Sequence, residues 1–243
     1  MNLVLFRPHE IVGPGRAVVG GARARHLVEV LGVTAGRELR VAEIGSTLGR
    51  GRVAKVTEGL VEFEYRLGDE APPPARLDLI LAMPRPKVLR RVLENLASYG
   101  IRRAVLVRSA RVDKSYLEAP ILEEERRREH LLVGCEQAVD PRPCELGFEP
   151  LFRPFVEDRA AAFAGEALPL VFHPGGEDPG PAARSAPAGV CLAIGPEGGW
   201  TPFEVDLFRA AGFRVAGLGP RIHRVEAAIA WAAARCTPET PPA

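Results

Sequence analysis

The chain has 243 residues, 47% of them hydrophobic and 26% charged, with a net charge of +1. This is the composition of a soluble globular protein, long enough for one large domain or two modest ones. No apolar run approaches the roughly 18 residues a membrane span needs and the start carries no secretory pattern, so a cytoplasmic protein is expected. Cys135, Cys144, Cys191 and Cys236 make no CxxC pair and the five histidines show no ligand spacing, which predicts free, mostly buried thiols and no metal.

Residues 1–70 read as short strands (LVLF, ELRVAEI, GRVAKVT, LVEFEYRL) with one helical piece, GARARHLVEVLG, among them. Glycines at hairpin spacing suggest a small β-barrel. GDEAPPPAR then breaks the pattern, and its three prolines, Pro72–Pro74, favour extended geometry and a domain boundary. From 74 to 236 the rhythm alternates. LDLILAM, RRAVLVRS, LPLVFHP, GVCLAIGP and FRVAGLG read as strands. PKVLRRVLENLASYG, the long APILEEERRREHLLVGCEQA and RVEAAIAWAAAR read as helices. Apolar strands alternating with helices predict a parallel α/β sheet covered on both faces. The Gly/Pro-rich stretch from His173 to Gly189 reads as a long loop, and 237–243 as a disordered tail.

Residues 84–114 carry nine Lys/Arg against Glu94 and Asp113, a one-sided surplus that favours a polyanionic partner over a solvated helix face. The stretch AIGPEGGWTPFEVDLFRAAGF reads as strand, bare turn and helix. Thr201 can cap, Pro202 suits the first helical position, Glu204 completes a capping box and Gly212 supplies the stop. Phe203 and Leu207 share one face, and Trp200 and Phe203 read as core or dimer-interface residues.

Two further turns, FHPGG and LGPRIHRVEAA, also sit at strand carboxyl ends, where ligands of open α/β sheets bind and where glycine lets backbone groups approach closely. GxGxxG, GxxxxGK[ST], GxSxG and HExxH are all absent, which disfavours an ordinary nucleotide cradle.

IGPEGGWTPFEVDLFRAAGFRVAGLGPRIHRVEAA resembles the C-terminal signature of the RsmE family of SPOUT methyltransferases. EQAVDPRP (Glu136 to Pro143) is similar to that family's EQxxR segment, and RHLVEVLGVTAGREL to its N-terminal segment. The resemblance implies a PUA-like RNA-binding barrel over 1–70 and, over 74–236, a parallel sheet ending in a trefoil knot. It further implies a homodimer that uses S-adenosylmethionine to methylate N3 of a uridine in 16S ribosomal RNA of the small subunit. Its cofactor site would include Phe172, His173, Ile194, Gly195, Pro196, Glu197, Gly198, Gly199, Leu218, Gly219, Arg221, Ile222 and His223. The glycines Gly195 and Gly219 would leave room for the adenosine. His223 stands where the family pattern has Leu, Val225 where it has Thr, and Gly32 where it has Arg.

Methyl transfer to uracil N3 calls for positioning, and for a base or a cation that stabilises the developing uracil anion. Arg221, Arg224 and Glu226 are the candidates, weighed against ion pairs of the arginines with Glu197 or Glu226 and a capping role for Glu226. Glu136 and Gln137 are candidate supporting groups, with a buried helix hydrogen bond as the competing account. Arg23, Arg25, Arg85, Lys87, Arg90, Arg91 and Arg111 are the candidate RNA contacts. Trp231, in the Ala-rich last helix, suits dimer packing. Two rivals stand beside this reading: a non-catalytic RNA-binding protein with a degenerate methyltransferase-like domain, and a nucleotide-dependent enzyme of ordinary doubly-wound fold.

Overall fold

The computed structural model describes residues 2–70, 72–73 and 75–237. Pro74 of the expected boundary and residues 238–243 of the expected tail lie outside them. The chain divides into two compact units, Met1–Pro73 with Leu132–Pro143, and Pro74–Leu131 with Cys144–Ala243. The segment Leu132–Pro143 thus joins the first unit, although sequence continuity assigns it to the C-terminal domain.

The first unit is a six-stranded sheet of β1 (Val4–Phe6), β2 (Ile11–Gly13), β3 (Arg16–Gly20), β4 (Glu38–Glu43), β5 (Gly49–Thr57) and β6 (Leu60–Leu67), with α1 (Gly21–Arg25) running into one π-helical turn, His26–Val30. Its order is β1-β4-β5-β6-β3-β2, parallel only between β1 and β4. Inward-facing Phe6, Val19, Leu27, Val41 and Phe63 fill its core. Beneath them lies a charged cluster the sequence does not announce. Glu136 Oε1 accepts from Arg7 Nη1 at 3.1 Å and from Arg23 Nη2 at 2.6 Å, and Arg23 also pairs with Glu10. Arg7, Glu10 and Glu136 are each only 5% exposed. Glu136 is therefore a buried ion-pair partner within the first unit.

The second unit begins with β7 (Leu77–Ala82), α2 (Pro86–Asn95), β8 (Ile101–Val107) and α3 (Glu124–Ala138), whose last residues belong to the first unit. It continues with β9 (Glu145–Glu149), α4 (Phe152–Asp158), α5 (Ala160–Ala164), β10 (Leu168–Glu177), α6 (Gly180–Arg184), β11 (Val190–Ile194), α7 (Pro202–Ala210), β12 (Arg214–Ala216) and α8 (Val225–Cys236). The sheet is parallel throughout, in the order β12-β10-β11-β7-β8-β9. Every residue of β7 and β11 is buried, as helix-covered central strands require.

Three expectations are corrected here. The long helix starts at Glu124 rather than Ala119, because Pro120 opens a separate 3-10 turn. The stretch 173–189 is not one loop: β10 runs on to Glu177 and α6 forms within it. On α7 the buried face is Glu204, Val205 and Phe208, while Phe203 is 58% exposed and so is not core. Trp200 is buried, its ring centroid 5.2 Å from Phe208 and 5.5 Å from Phe152. All four cysteines are buried.

The one-sided surplus of residues 84–114 is also smaller than its count suggests. Arg102 and Arg103, at the start of β8, both turn onto Asp78, which has no solvent exposure, with contacts of 2.6–3.3 Å. Burial pushes the Asp78 carboxyl up, and the two guanidiniums together outweigh that and hold it below its ordinary 3.8.

Candidate functional site

A cavity of about 120 Å³ opens at the carboxyl ends of β11 and β12 and beside the irregular second half of β10, walled by three segments. The first wall is Phe172, His173 and Pro174. Ala216 of β12 pairs with Phe172 and again with Glu177, so the residues between bulge out of the ladder. Gly217 N–H donates to Glu177 O at 2.8 Å to close this bulge. A Cβ on Gly176 would lie 2.4 Å from the Ala216 carbonyl carbon, so glycine is obligatory at that backbone crossing.

The second wall is the turn from Ile194 to Trp200. Gly199 N–H donates to Pro196 O at 2.8 Å, with Gly199 at φ +69°. The turn is held from two sides. Glu197 Oε1 accepts the Arg85 backbone N–H at 3.0 Å, and Arg111 donates to Gly198 O. Behind it Thr201 and Glu204 form the expected capping box, and Glu204 does more than cap. It is 2% exposed, and while one oxygen serves Thr201, the other accepts the Ala110 N–H at 2.7 Å. One buried carboxylate thereby ties the loop after β8 to the start of α7.

The third wall is Leu218, Gly219, Arg221, Ile222 and His223. Gly219 sits at φ +92° with nothing within 4 Å of where a Cβ would stand. A side chain there would be strained and would project into open space. Gly195 differs: its Cβ would meet Trp200 N at 3.0 Å and Gly199 Cα at 3.2 Å. The turn's own backbone, rather than room left for a ligand, accounts for that glycine.

Of the thirteen residues expected at the cofactor site, all but Gly198 line this cavity. Gly198 faces the Arg111 side chain instead. Pro174, Trp200, Val225 and Ala228 complete the lining; the apolar spacing of α8 marks the last two only as helix face. His223 packs its ring against Trp231, with centroids 5.4 Å apart and planes at 32°.

The expected catalytic groups separate. Arg221 lines the cavity and is exposed, with no carboxylate contact among the described residues. Arg224 and Glu226 stand outside the lining. Glu226 is engaged by Arg91 at 2.7 Å and Glu197 by Arg85. Of the ion pairs that the sequence leaves open, no hydrogen bond to Arg221 or Arg224 occurs among the described residues, although the Arg224 charge also acts on the Glu226 carboxyl. The backbone amide of Glu226, then the Arg91 guanidinium, hold its carboxyl below the usual range. A carboxylate so stabilised is a poor proton acceptor.

Of the candidate RNA contacts, Arg25, Arg85, Lys87, Arg90, Arg91 and Arg111 are exposed. Arg23 is not available: its guanidinium is committed to Glu10, Glu136 and the Leu5 carbonyl inside the first unit.

Comparison with known proteins bears on what this cavity holds. Residues 71–237 match the RNA methyltransferase domain family. Ribosomal RNA small subunit methyltransferase E of Treponema pallidum (strain Nichols) is 32% identical over 240 residues, covering 96% of this chain and 90% of its own. The crystal structure of a ribosomal RNA small subunit methyltransferase E from Neisseria gonorrhoeae bound to S-adenosyl methionine superposes with a TM-score of 0.74 at 21% identity, over 96% of this chain and 95% of that one. A methyltransferase from Legionella pneumophila, in complex with the same cofactor, gives 0.76 at 22% identity over 96% and 95%. These two structures share its fold.

Proposed function

The chain belongs to the ribosomal RNA small subunit methyltransferase E family, and from that premise we propose that it transfers a methyl group from S-adenosylmethionine to N3 of a uridine in 16S ribosomal RNA. The observation that carries this reading is the cavity built from three glycine-rich turns at the strand ends. Its apolar walls, Phe172, Leu218 and Ile222, suit a flat ring, while the surrounding backbone offers donors and acceptors to the ring's edge. The open space beside Gly219 is the part of the cradle that a Cβ would fill. Bound there, S-adenosylmethionine would supply an electrophilic methyl group.

This chain's own contribution is position and charge. Phe172, Gly195 and Leu218 would hold the cofactor through contact with its ring. Arg221, a cation on the rim with no carboxylate contact among the described residues, would face the uracil oxygen on which charge develops as N3 loses its proton. Glu226 stays ionised and tied to Arg91, which leaves Arg224 and Glu226 as shaping charges rather than proton carriers. Arg25, Arg85, Lys87, Arg90 and Arg91 would contact RNA phosphates, with the curled first-unit sheet acting as a PUA-like barrel.

The backbone crossing of Gly176 with Ala216 and Gly217 supports a knotted C-terminal segment. The outward face of α8, Ala227, Ala230, Ala234 and half-exposed Trp231, suits close helix packing in a homodimer. The reaction would take place in the cytoplasm. Mass-spectrometric mapping of 16S ribosomal RNA from a deletion strain tests the proposal: one methyluridine should vanish and return on complementation. An unchanged methylation pattern would leave the non-catalytic RNA-binding protein as the better reading.

A further inference from the structure

A second hollow, of about 440 Å³, lies in the same unit, lined by Pro86, Lys87, Arg90 and Arg91 of α2, by Ile121, and by Arg126 and His130 of α3. Four permanently cationic side chains and a histidine around one hollow are a poor arrangement for stability alone, because like charges repel. Their counter-charges are thin. Lys87 has no carboxylate partner among the described residues. Arg90 meets Glu94 only at 3.9 Å, and Arg126 meets Glu123 at 2.8 Å with both side chains about 60% exposed. Glu94 also faces His130, at 2.9 Å. Pairs this exposed are worth little and exchange readily for a stronger anion.

The hollow adjoins the candidate site through two bridges. Arg91, in its lining, donates to Glu226, which directly follows the cavity-lining Val225. Arg85, immediately before Pro86, holds Glu197 of the second cavity wall. The N-cap residue and the second turn of α2 are thus hydrogen-bonded to residues in or next to the wall of the candidate site.

We propose that this hollow binds the backbone phosphates of the RNA strand that flank the methylated nucleotide, with Lys87 and Arg126 as the principal contacts. This rests on the RNA-methylating reading. Pro86 withholds a backbone N–H, so the lining offers an anion side-chain donors: the Lys87 ammonium as a point charge and the guanidinium forks of Arg90, Arg91 and Arg126, which match phosphate oxygens. Ile121 and Pro86 give a ribose an apolar surface. Arg126 and His130 extend the RNA surface onto α3, well beyond the run of cations that the sequence marks.

The test measures binding of the full-length protein to in vitro transcribed 16S ribosomal RNA across a salt series. Lys87→Gln with Arg126→Gln should weaken binding at least tenfold and flatten the slope of log K against log salt by about 0.7 for each phosphate no longer neutralised. Glu94→Gln should do the opposite and tighten binding, a sign change that a merely structural role would not produce. The exposed Arg153→Gln serves as a control for removal of charge elsewhere. If both hollow variants behave as the control does, with unchanged thermal midpoints, the hollow is not an RNA site. Methyl transfer by the wild type to the same transcript is followed in parallel. Its absence would break the functional reading, whereas the binding slopes report on the hollow by themselves.

Discussion

At the start of the parallel strands, Arg102 and Arg103 fold back onto Asp78, a carboxylate with no exposure and four hydrogen bonds. At the far end of the same sheet, Arg85 and Arg91 hold partly exposed carboxylates, Arg111 reaches a carbonyl, and Arg221 faces the cavity with no carboxylate contact among the described residues. The residue type is the same and the duty differs, because one end is closed by a buried acid and the other is left open by glycine turns. Arginine count therefore says less about RNA binding than the location of the nearest buried carboxylate.

The largest expected effect comes from breaking the closed end. Asp78→Ala removes the buried carboxylate that Arg102 and Arg103 share. Because both guanidiniums are partly exposed and can turn to water, it should cost about 2–3 kcal/mol, read by urea denaturation, while the folded fraction still binds S-adenosylmethionine normally. The same carboxylate gives a pH signature. Its folded-state value lies below its ordinary 3.8, so its stabilisation is complete above that value and is lost as pH falls through the lowered one. Acid unfolding of the wild type should show this loss below about pH 4, and Asp78→Asn should remove that part of the curve.

Glu204→Gln sharpens the comparison at the open end. The amide presents an N–H₂ where the carboxylate accepts from Ala110 or Thr201, and losing one of these bonds should cost about 1–3 kcal/mol. Because the bond at stake joins the loop after β8 to the second wall, cofactor titration should weaken several-fold as well. A drop in thermal midpoint with unchanged cofactor affinity would reduce Glu204 to a helix cap. The smallest effect belongs to Glu226→Gln, whose partly exposed pair with Arg91 contributes about 1 kcal/mol at most. Initial methylation rates should stay within about twofold of wild type; a hundredfold fall would make this carboxylate the proton acceptor.

Local chemistry is legible in the sequence wherever a few neighbouring residues decide the outcome. The β7 and β11 strands, the Thr201–Glu204 box and the convergence of three glycine turns all follow from short patterns. What escapes depends on distant partners. Nothing near Glu136 indicates that Arg7 and Arg23 will claim it, and nothing near Arg102 or Arg103 points to Asp78. Periodicity misassigns the face of α7 because a charged residue, Glu204, takes an inward position normally reserved for apolar side chains. Gly195 reads as space for a ligand in the sequence, and it proves to be space for its own turn.

Calorimetric titration of S-adenosylmethionine into wild type and Gly219→Val tests most directly whether the cavity between the three turns is the cofactor site. The wild type should bind one cofactor per chain. The valine should cut that affinity tenfold or more, cost about 1–2 kcal/mol of stability through the positive φ, and leave affinity for 16S ribosomal RNA unchanged. Wild-type cofactor affinity in Gly219→Val would contradict the account and place the cofactor elsewhere.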